Sequence, residues 1–394
     1  MSDHDTARAA GEALARRVDA LLLPDAPELR LSLLAGRARE LARLEHEVRS
    51  PGRHALVSAE PGTGRSSLAC LLRARLGGTH AFVRVGAEAG DDAVRLWTRA
   101  TAAVPVLDAA TPPLPGAHAA EPAEVAAWLA RAAASTPLVL VLDDLDRLRD
   151  ARVRESLAFT VAALSARVAG VTLVLLDGPD AADLPPASHP AAAGALVTVP
   201  LPRLSDGELA EALARILDAV NLEPEPGLPA RIAVLAQGLP RPALRLGHAA
   251  ARAAAAEASP RLTAAHLEAA IAAARAAAPD DVRRAYAQAT VRARRGIFPE
   301  ILLACALAAR EGAGAFAADA VRARLERLVH RDVRGLTNQL EALAAPGRGA
   351  VLVRLAGPGP RYRFADPQLP HHVLLQGLEP GWCPPAPADE RRAA

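Results

Sequence analysis

The stretch best equipped for chemistry is Ala55-Leu-Val-Ser-Ala-Glu-Pro-Gly-Thr-Gly-Arg-Ser-Ser67, which continues into Leu68-Ala-Cys-Leu-Leu-Arg-Ala-Arg-Leu76. An apolar run that ends in a Gly/Pro-rich turn and opens into an amphipathic segment has the strand, loop and helix order of a phosphate-binding loop. Small residues let successive backbone N–H groups turn inward around phosphate oxygens, and the new helix directs its positive end at the same anion. Gly62 and Gly64 supply that freedom. Against the pattern G-x-x-x-x-G-K-[ST], Ala59 holds the first glycine position, Gly64 the second, Arg65 the lysine and Ser66 the Mg²⁺ ligand. Glu60, Pro61, Gly62, Thr63, Gly64, Arg65, Ser66 and Ser67 are therefore the candidate nucleotide contacts. Ala59 adds only a methyl group, whereas Arg65 replaces a slim ammonium with a planar, bulkier fork, which bears on hydrolysis more than on binding. A plain turn between a strand and a helix is the competing reading of 59–66.

The second candidate is Pro137-Leu-Val-Leu-Val-Leu-Asp-Asp-Leu-Asp146. A continuous apolar strand without alternation suits a parallel strand covered on both faces. It ends in carboxylates, and in enzymes with a phosphate-binding loop this terminus brings an Asp beside the bound Mg²⁺. Asp143 is the candidate metal ligand together with Ser66, and Asp144 stands where a carboxylate can polarise the attacking water; an acidic strand end facing solvent is the alternative. Gly170-Val-Thr-Leu-Val-Leu-Leu-Asp177 is a further strand of this kind. A carboxylate at its tip would repel a γ-phosphate, so Asp177 either points away or departs from an efficient hydrolase. No Arg lies between Gly178 and Pro202, where a neighbouring subunit's arginine finger usually originates.

The chain that must position these groups has 394 residues, enough for about two to three domains. It is 51% hydrophobic but only 3% aromatic, so its core is built from Ala, Leu and Val. All 46 basic residues are Arg, which makes Arg65 compatible with compositional drift. No long uncharged apolar run appears, and acids and arginines occupy the first 20 residues, which predicts a soluble, intracellular, cytoplasmic protein. Cys70, Cys305 and Cys383 lack paired spacing, which speaks against a disulfide framework or a metal site. Adjacent His371 and His372 suit a surface turn better than a ligand pair.

Periodicity predicts a helical arm over Asp5–Leu23 within a 1–35 arm and connector, then an amphipathic helix over Gly36–Val48. Strands are expected over His80–Val85 and Ala195–Val199 besides the three above. Helices are expected over Asp91–Val104 and Glu121–Ala134, the latter burying Trp128. A Pro/Ala/Thr-rich loop fills 105–121. From Leu204 only helices are expected, the first capped by Ser205, with others over 228–237, 241–257 and 263–278. Arg241, just after a proline at a helix start, can swing onto a nucleotide; a plain surface arginine is the alternative.

Between Val282 and Asp366 there are 15 Arg against 7 acids, about +8 on a chain of net charge +2. Helices are expected at 281–293, 298–310, 317–329 and 332–344, followed by a hairpin of Ala350–Leu355 and Arg361–Phe364. That order predicts a winged-helix domain over 279–378, with Arg322, Arg324, Arg327, Arg331 and Arg334 around the recognition region and Arg361 and Arg363 on the wing. Such arginines mostly contact phosphates of double-stranded DNA; contact with a protein partner is the alternative. The tail 379–394 has a disordered composition.

Taken together, Gly36-Arg37 with Glu40-Leu41, Glu60–Ser66, Leu142-Asp-Asp144, Gly238-Leu-Pro-Arg241 and Arg361–Asp366 resemble the AAA+ ATPases of the origin-recognition and replication-licensing class, and the related STAND signalling ATPases. The resemblance covers about 36–375. It implies an α/β fold: a P-loop NTPase core over 36–203 with a parallel five-stranded sheet, an all-helical lid over 204–278, and the winged helix. It further implies ATP or ADP with Mg²⁺ as cofactors, Gly36 and Arg37 as additional nucleotide contacts, and an ATP-controlled switch that repositions the winged helix. Ala59, Arg65, Asp177 and the missing finger imply slow hydrolysis at most, or a pseudo-ATPase adaptor.

Overall fold

The computed structural model describes residues 3–22, 36–105, 114, 121–167, 170–179, 181, 190–291, 297–311, 314–330, 332–355 and 359–377. It divides into two units, 27–202 and a helical unit formed by 1–26 with 203–394. The chain starts in the helical unit with α1 (Asp3–Leu21). The predicted connector up to residue 35, most of the 105–121 loop, Arg331 and the tail lie outside the described residues.

Residues 27–202 contain α2 (Ala38–Arg49), β1 (His54–Ser58), α3 (Arg65–Leu76), β2 (Ala81–Gly86), α4 (Ala93–Ala103), α5 (Pro122–Ala132), β3 (Leu138–Asp143), α6 (Ala151–Ala166), β4 (Val171–Asp177), α7 (Pro190–Ala195) and β5 (Leu196–Pro200). The strands form the expected parallel five-stranded sheet, in the order β2-β3-β4-β1-β5. The register sets Ala55 against Val174, Leu138 against Val171 and Gly86 against Asp143. Every residue of β3 and β4 is buried, because helices cover both faces. Side-chain alternation divides the core in two. Leu138, Leu140, Leu142, Leu173 and Leu175 pack with Trp97, Trp128 and α6, while Val139, Val141, Val174 and Leu176 pack with Leu44, Leu68 and Leu72 from α2 and α3. Both indoles are buried, so the Trp128 expectation holds. The α6 helix was not anticipated. Its buried positions Val153, Ser156, Leu157, Ala158, Thr160, Val161 and Ala162 run around much of its circumference and blur the stripe that marks an amphipathic helix.

The helical unit continues with α8 (Asp206–Ala219), β6 (Glu223–Pro224), α9 (Leu228–Leu235), α10 (Pro240–Ala256), β7 (Arg261–Leu262) and α11 (Ala264–Ala276). A capping box of Ser205 and Glu208 starts α8. The expectation of helices only over 204–278 needs correcting, since β6 and β7 form a parallel pair. Two residues per strand are too few to leave a periodic signal. Gly238, at φ +72°, holds the turn into α10 against Leu204, whose carbonyl oxygen would lie 2.2 Å from any added Cβ. The arm helix α1 packs on α10, with Asp19 paired to His248 at 2.9 Å and Arg252 at 3.2 Å.

Next come α12 (Asp280–Thr290), α13 (Phe298–Glu311), β8 (Ala315–Ala317), α14 (Ala318–Val329), α15 (Leu336–Ala344), β9 (Leu352–Leu355), β10 (Arg361–Phe364) and α16 (Leu369–Gly377). The hairpin of β9 and β10 is present, but β8 adds a third antiparallel strand, Tyr362 facing Phe316 and Arg354. The helix expected from 332 starts at Leu336, because Gly335 at φ +70° occupies its N-cap. His371 and His372 do not form a surface turn. They lie in α16, where His371 Nδ1–H donates to the Leu235 carbonyl at 2.8 Å and His372 is buried edge-on to the Tyr286 ring. Gln237 Nε2 donates to the Ala306 carbonyl at 2.8 Å and Arg310 pairs with Asp206 at 2.6 Å, tying α13 to the helices that precede it. Among the described residues no helix is long and apolar enough to cross a membrane.

Candidate functional site

At the C-terminal end of β1 the chain turns through Gly62 at φ +89° and Gly64 at φ +99°, a left-handed conformation that costs glycine nothing. Gly64 is also the N-cap of α3 and supplies no side-chain cap. The first bond of that helix runs from Leu68 N–H to the Gly64 carbonyl, so the N–H groups of Arg65, Ser66 and Ser67 precede the hydrogen-bonded ladder. A Cβ on Gly64 would meet nothing within 4 Å, so the space on that side of the turn is open. Ala59, at the first position of the pattern, is buried and has no positive φ, so its methyl group is accommodated.

Several loop residues brace the turn. Thr63 is 1% exposed and its hydroxyl donates to the Glu60 carbonyl at 2.8 Å, while Arg37, also buried, donates to the Thr63 carbonyl at 3.1 Å. Arg37 lies 3.8 Å from Glu40 as well. Gly36, at φ +76°, makes the bend into α2. Pro61 is exposed, and Glu60 and Ser67 are half-buried. Arg65 is 8% exposed; its Nη2 lies 3.2 Å from the Asp146 carboxylate, and its Nη1 is buried without a hydrogen-bond partner. A buried guanidinium N–H without an acceptor is costly, and an anion at this turn is a chemically suitable partner for it.

Ser66 and Asp143 are brought together as the spacing suggested: Ser66 Oγ donates to Asp143 Oδ2 at 2.7 Å. The carboxylate is 1% exposed and also accepts the Asp144 N–H at 2.8 Å. Asp143 does not stand as an open carboxylate, because Arg84 Nε lies 3.1 Å from the same Oδ2. Asp144 holds φ +56°, unusual for a residue with a Cβ, and its half-buried side chain lies 3.8 Å from Arg147.

Asp177 resolves the question its position raised. It is 1% exposed, accepts Arg154 Nη1 at 2.6 Å and the Gly178 N–H at 2.7 Å, and so is a neutralised carboxylate rather than a bare negative charge. Arg84, Arg154 and the partner role of Asp146 were missed from sequence. Arg84 had a visible signal, a lone charge inside the apolar run Phe82–Val85. Arg154 gave none, because the helix that carries it was not recognised.

The residues present fit a phosphate: an uncapped helix start, two left-handed glycines and a buried, unsatisfied Arg65 donor. For a divalent cation they offer Ser66 and Asp143, the latter shared with Arg84; no larger cluster of acidic, His or Cys ligands occurs among the described residues. Of the remaining candidates, Arg241 is exposed in the first turn of α10, in the helical unit. Arg322 donates to the Val333 carbonyl at 2.7 Å, Arg324 to Ala320 at 2.7 Å and Arg327 to Ala323 at 3.0 Å. Arg334 and Arg361 are exposed and Arg363 is half-buried.

Residues 33–176 match the AAA ATPase domain. Solved structures with a similar fold include a Walker-type ATPase of Pyrococcus abyssi, at 17% identity and a TM-score of 0.54, covering 90% of this chain and 99% of that one. Cdc6p of Pyrobaculum aerophilum is similar at 14% identity and a TM-score of 0.50, covering 91% and 97%. A comparison with curated proteins gives no match. The AAA ATPase match takes in β1 to β3, nearly all of β4 and the loop between β1 and α3, but not β5, and the likeness to the two solved chains establishes the fold.

Proposed function

We propose that this protein is a nucleotide-binding regulator of the AAA+/STAND kind, which binds ATP or ADP at the loop between β1 and α3 and duplex DNA through a C-terminal winged helix, with weak hydrolysis at most. The observation that carries the nucleotide half is the open start of α3, where Gly64 leaves backbone donors uncapped beside the unpartnered Nη1 of Arg65. Backbone N–H groups and the helix dipole hold the phosphates, Arg65 adds a charge-assisted contact, and Thr63, Glu60 and Arg37 keep the loop in shape. Bound Mg²⁺ would supply charge neutralisation next to Ser66 and Asp143. Arg65 in place of lysine and an Asp177 already paired to Arg154 support slow turnover, since neither offers a slim cation or a free polar group to a γ-phosphate. Asp144 remains the carboxylate proposed to polarise water.

Calorimetric titration of nucleotide-free protein with Mg-ATP, beside Ser66→Ala and Arg65→Ala, tests this half. Micromolar binding that weakens in both variants is expected; no binding by folded protein would refute it.

For the DNA half, the α14 and α15 pair followed by β9 and β10 fits a helix-turn-helix with a wing, and its arginines fit phosphate contacts. Labelled duplex should bind the full chain with an affinity that falls steeply as salt rises. A second reading, docking on a protein partner, is favoured by Leu328 and Val353, large apolar side chains 36% and 38% exposed on α14 and β9. Binding insensitive to salt, or absent, would favour that reading.

A further inference from the structure

The Asp143 carboxylate is buried, and a carboxylate stripped of water requires a cation or several hydrogen bonds. Here the cation is a side chain of the protein itself. Arg84 reaches Asp143 from β2, one of the two edge strands of the sheet, and its Nε shares Oδ2 with the Ser66 hydroxyl. The Arg84 side chain as a whole is 36% exposed. Its other polar contact among the described residues, Cys70 Sγ at 3.8 Å, is a weak acceptor, so Asp143 is what holds the arm in place and the arm can swing out to solvent without disturbing the core.

We propose that Arg84 is a resident counter-ion of Asp143 that competes with a divalent cation for the carboxylate and the Ser66 hydroxyl. The phosphate loop therefore takes up nucleotide without magnesium, and magnesium enters only by displacing Arg84. A divalent ion arriving beside a retained guanidinium meets like charge, and the carboxylate that would attract it is already compensated. Without the Arg84 charge, Asp143 and Ser66 become an open pair of hard oxygen ligands of the sort magnesium takes. This inference rests on the nucleotide reading above and adds how the site is regulated.

Full-length wild type and Arg84→Gln are titrated with ADP by calorimetry, in EDTA and in millimolar MgCl₂. Magnesium is expected to tighten wild-type binding by less than about threefold and the variant by about tenfold or more, the latter about 1.4 kcal/mol. Arg84→Lys keeps the charge and should follow wild type. Equal magnesium dependence in wild type and Arg84→Gln overturns the inference. So does a wild-type affinity that magnesium raises about tenfold, a result that needs no variant. In parallel, the nucleotide-free proteins are melted with increasing MgCl₂ alone, where only Arg84→Gln should be stabilised. Should ADP bind neither protein, the nucleotide reading falls and the metal-alone arm decides: a rise confined to Arg84→Gln upholds the counter-ion role, and identical curves reject it.

Discussion

At the C-terminal edge of the parallel sheet, Asp143, Asp144, Asp146 and Asp177 face Arg84, Arg147, Arg65 and Arg154 respectively. Around α14, α15 and β10 most of the arginines are disposed differently, although Arg354 pairs with Glu341 of α15 at 3.0 Å. Arg322 and Arg327 donate to neutral backbone carbonyls, and Arg334 and Arg361 are exposed. One side chain type, the only cation this chain uses besides histidine and its terminus, thus serves two electrostatic roles. Paired charges at the sheet edge cancel locally, so a ligand must exchange partners to enter. Arginines on carbonyls keep their full field, and the excess of about +8 over Val282–Asp366 acts on an anion from a Debye length away.

The comparison breaks most sharply at Arg154. Removing it by Arg154→Ala leaves Asp177, 1% exposed, without its cation, and should cost about 3 kcal/mol in urea unfolding. Replacing both partners, Arg154→Met with Asp177→Leu, should recover most of that loss. A cost below about 1 kcal/mol for the single change would show that the sheet edge is not organised by charge compensation.

Burial governs a histidine of the same sheet in the same way. His54 is fully buried at the start of β1; its Nδ1 accepts the Leu173 N–H at 3.0 Å, so Nε2 bears the proton and has no partner. Desolvation lowers its pKa from 6.5 to about 4. Between those values the unfolded chain binds a proton that the folded chain does not, so this stabilisation is present above pH 6.5 and lost as pH falls toward 4. The loss should total about 3 kcal/mol at about 1.36 kcal/mol per unit. His54→Gln should flatten that segment of the stability profile, and an unchanged slope would place the acid sensitivity elsewhere.

The sheet was legible because β1, β3 and β4 are continuous apolar runs with chemistry at their ends, a pattern that both-face burial imposes. The Ser66 to Asp143 contact followed from the same logic, since parallel strands deliver the ends of β1 and β3, which flank β4, to one edge of the sheet. What escaped was set by tertiary packing. The α6 helix carries buried residues on too many sides to show a stripe, β8 is three residues long, and the His371-His372 pair is polar by type yet packed against Leu235 and Tyr286. The arginine partners escaped for a further reason: an ion pair such as Arg154 with Asp177 joins residues that no local pattern connects.

On the arginine-rich surface the expected effects are smaller and fall on binding rather than on stability. Arg334→Ala with Arg361→Ala should leave unfolding within about 0.5 kcal/mol of wild type. It should also weaken binding to duplexes of any sequence, flattening the dependence of log K on log salt by about 2. An unaltered slope would remove these two arginines from the proposed DNA surface, and a lost preference for one sequence would assign them to bases rather than phosphates.

The smallest effect is expected at Arg147, and it tests whether distance and exposure, rather than residue type, set the two regimes. Arg147 and Asp144 lie 3.8 Å apart with side chains 62% and 39% exposed, against 2.6 Å and 21% and 1% for Arg154 and Asp177. Water screens the first pair from both sides and competes for each group, so Arg147→Ala should cost under about 0.5 kcal/mol in the same urea measurement that gives about 3 for Arg154→Ala. A cost above about 1 kcal/mol would mean that Arg147 holds more than a solvated charge. Asp144 is the group it would be holding, kept at φ +56° where a side chain is strained, and Asp144→Gly should then relieve the backbone and restore stability.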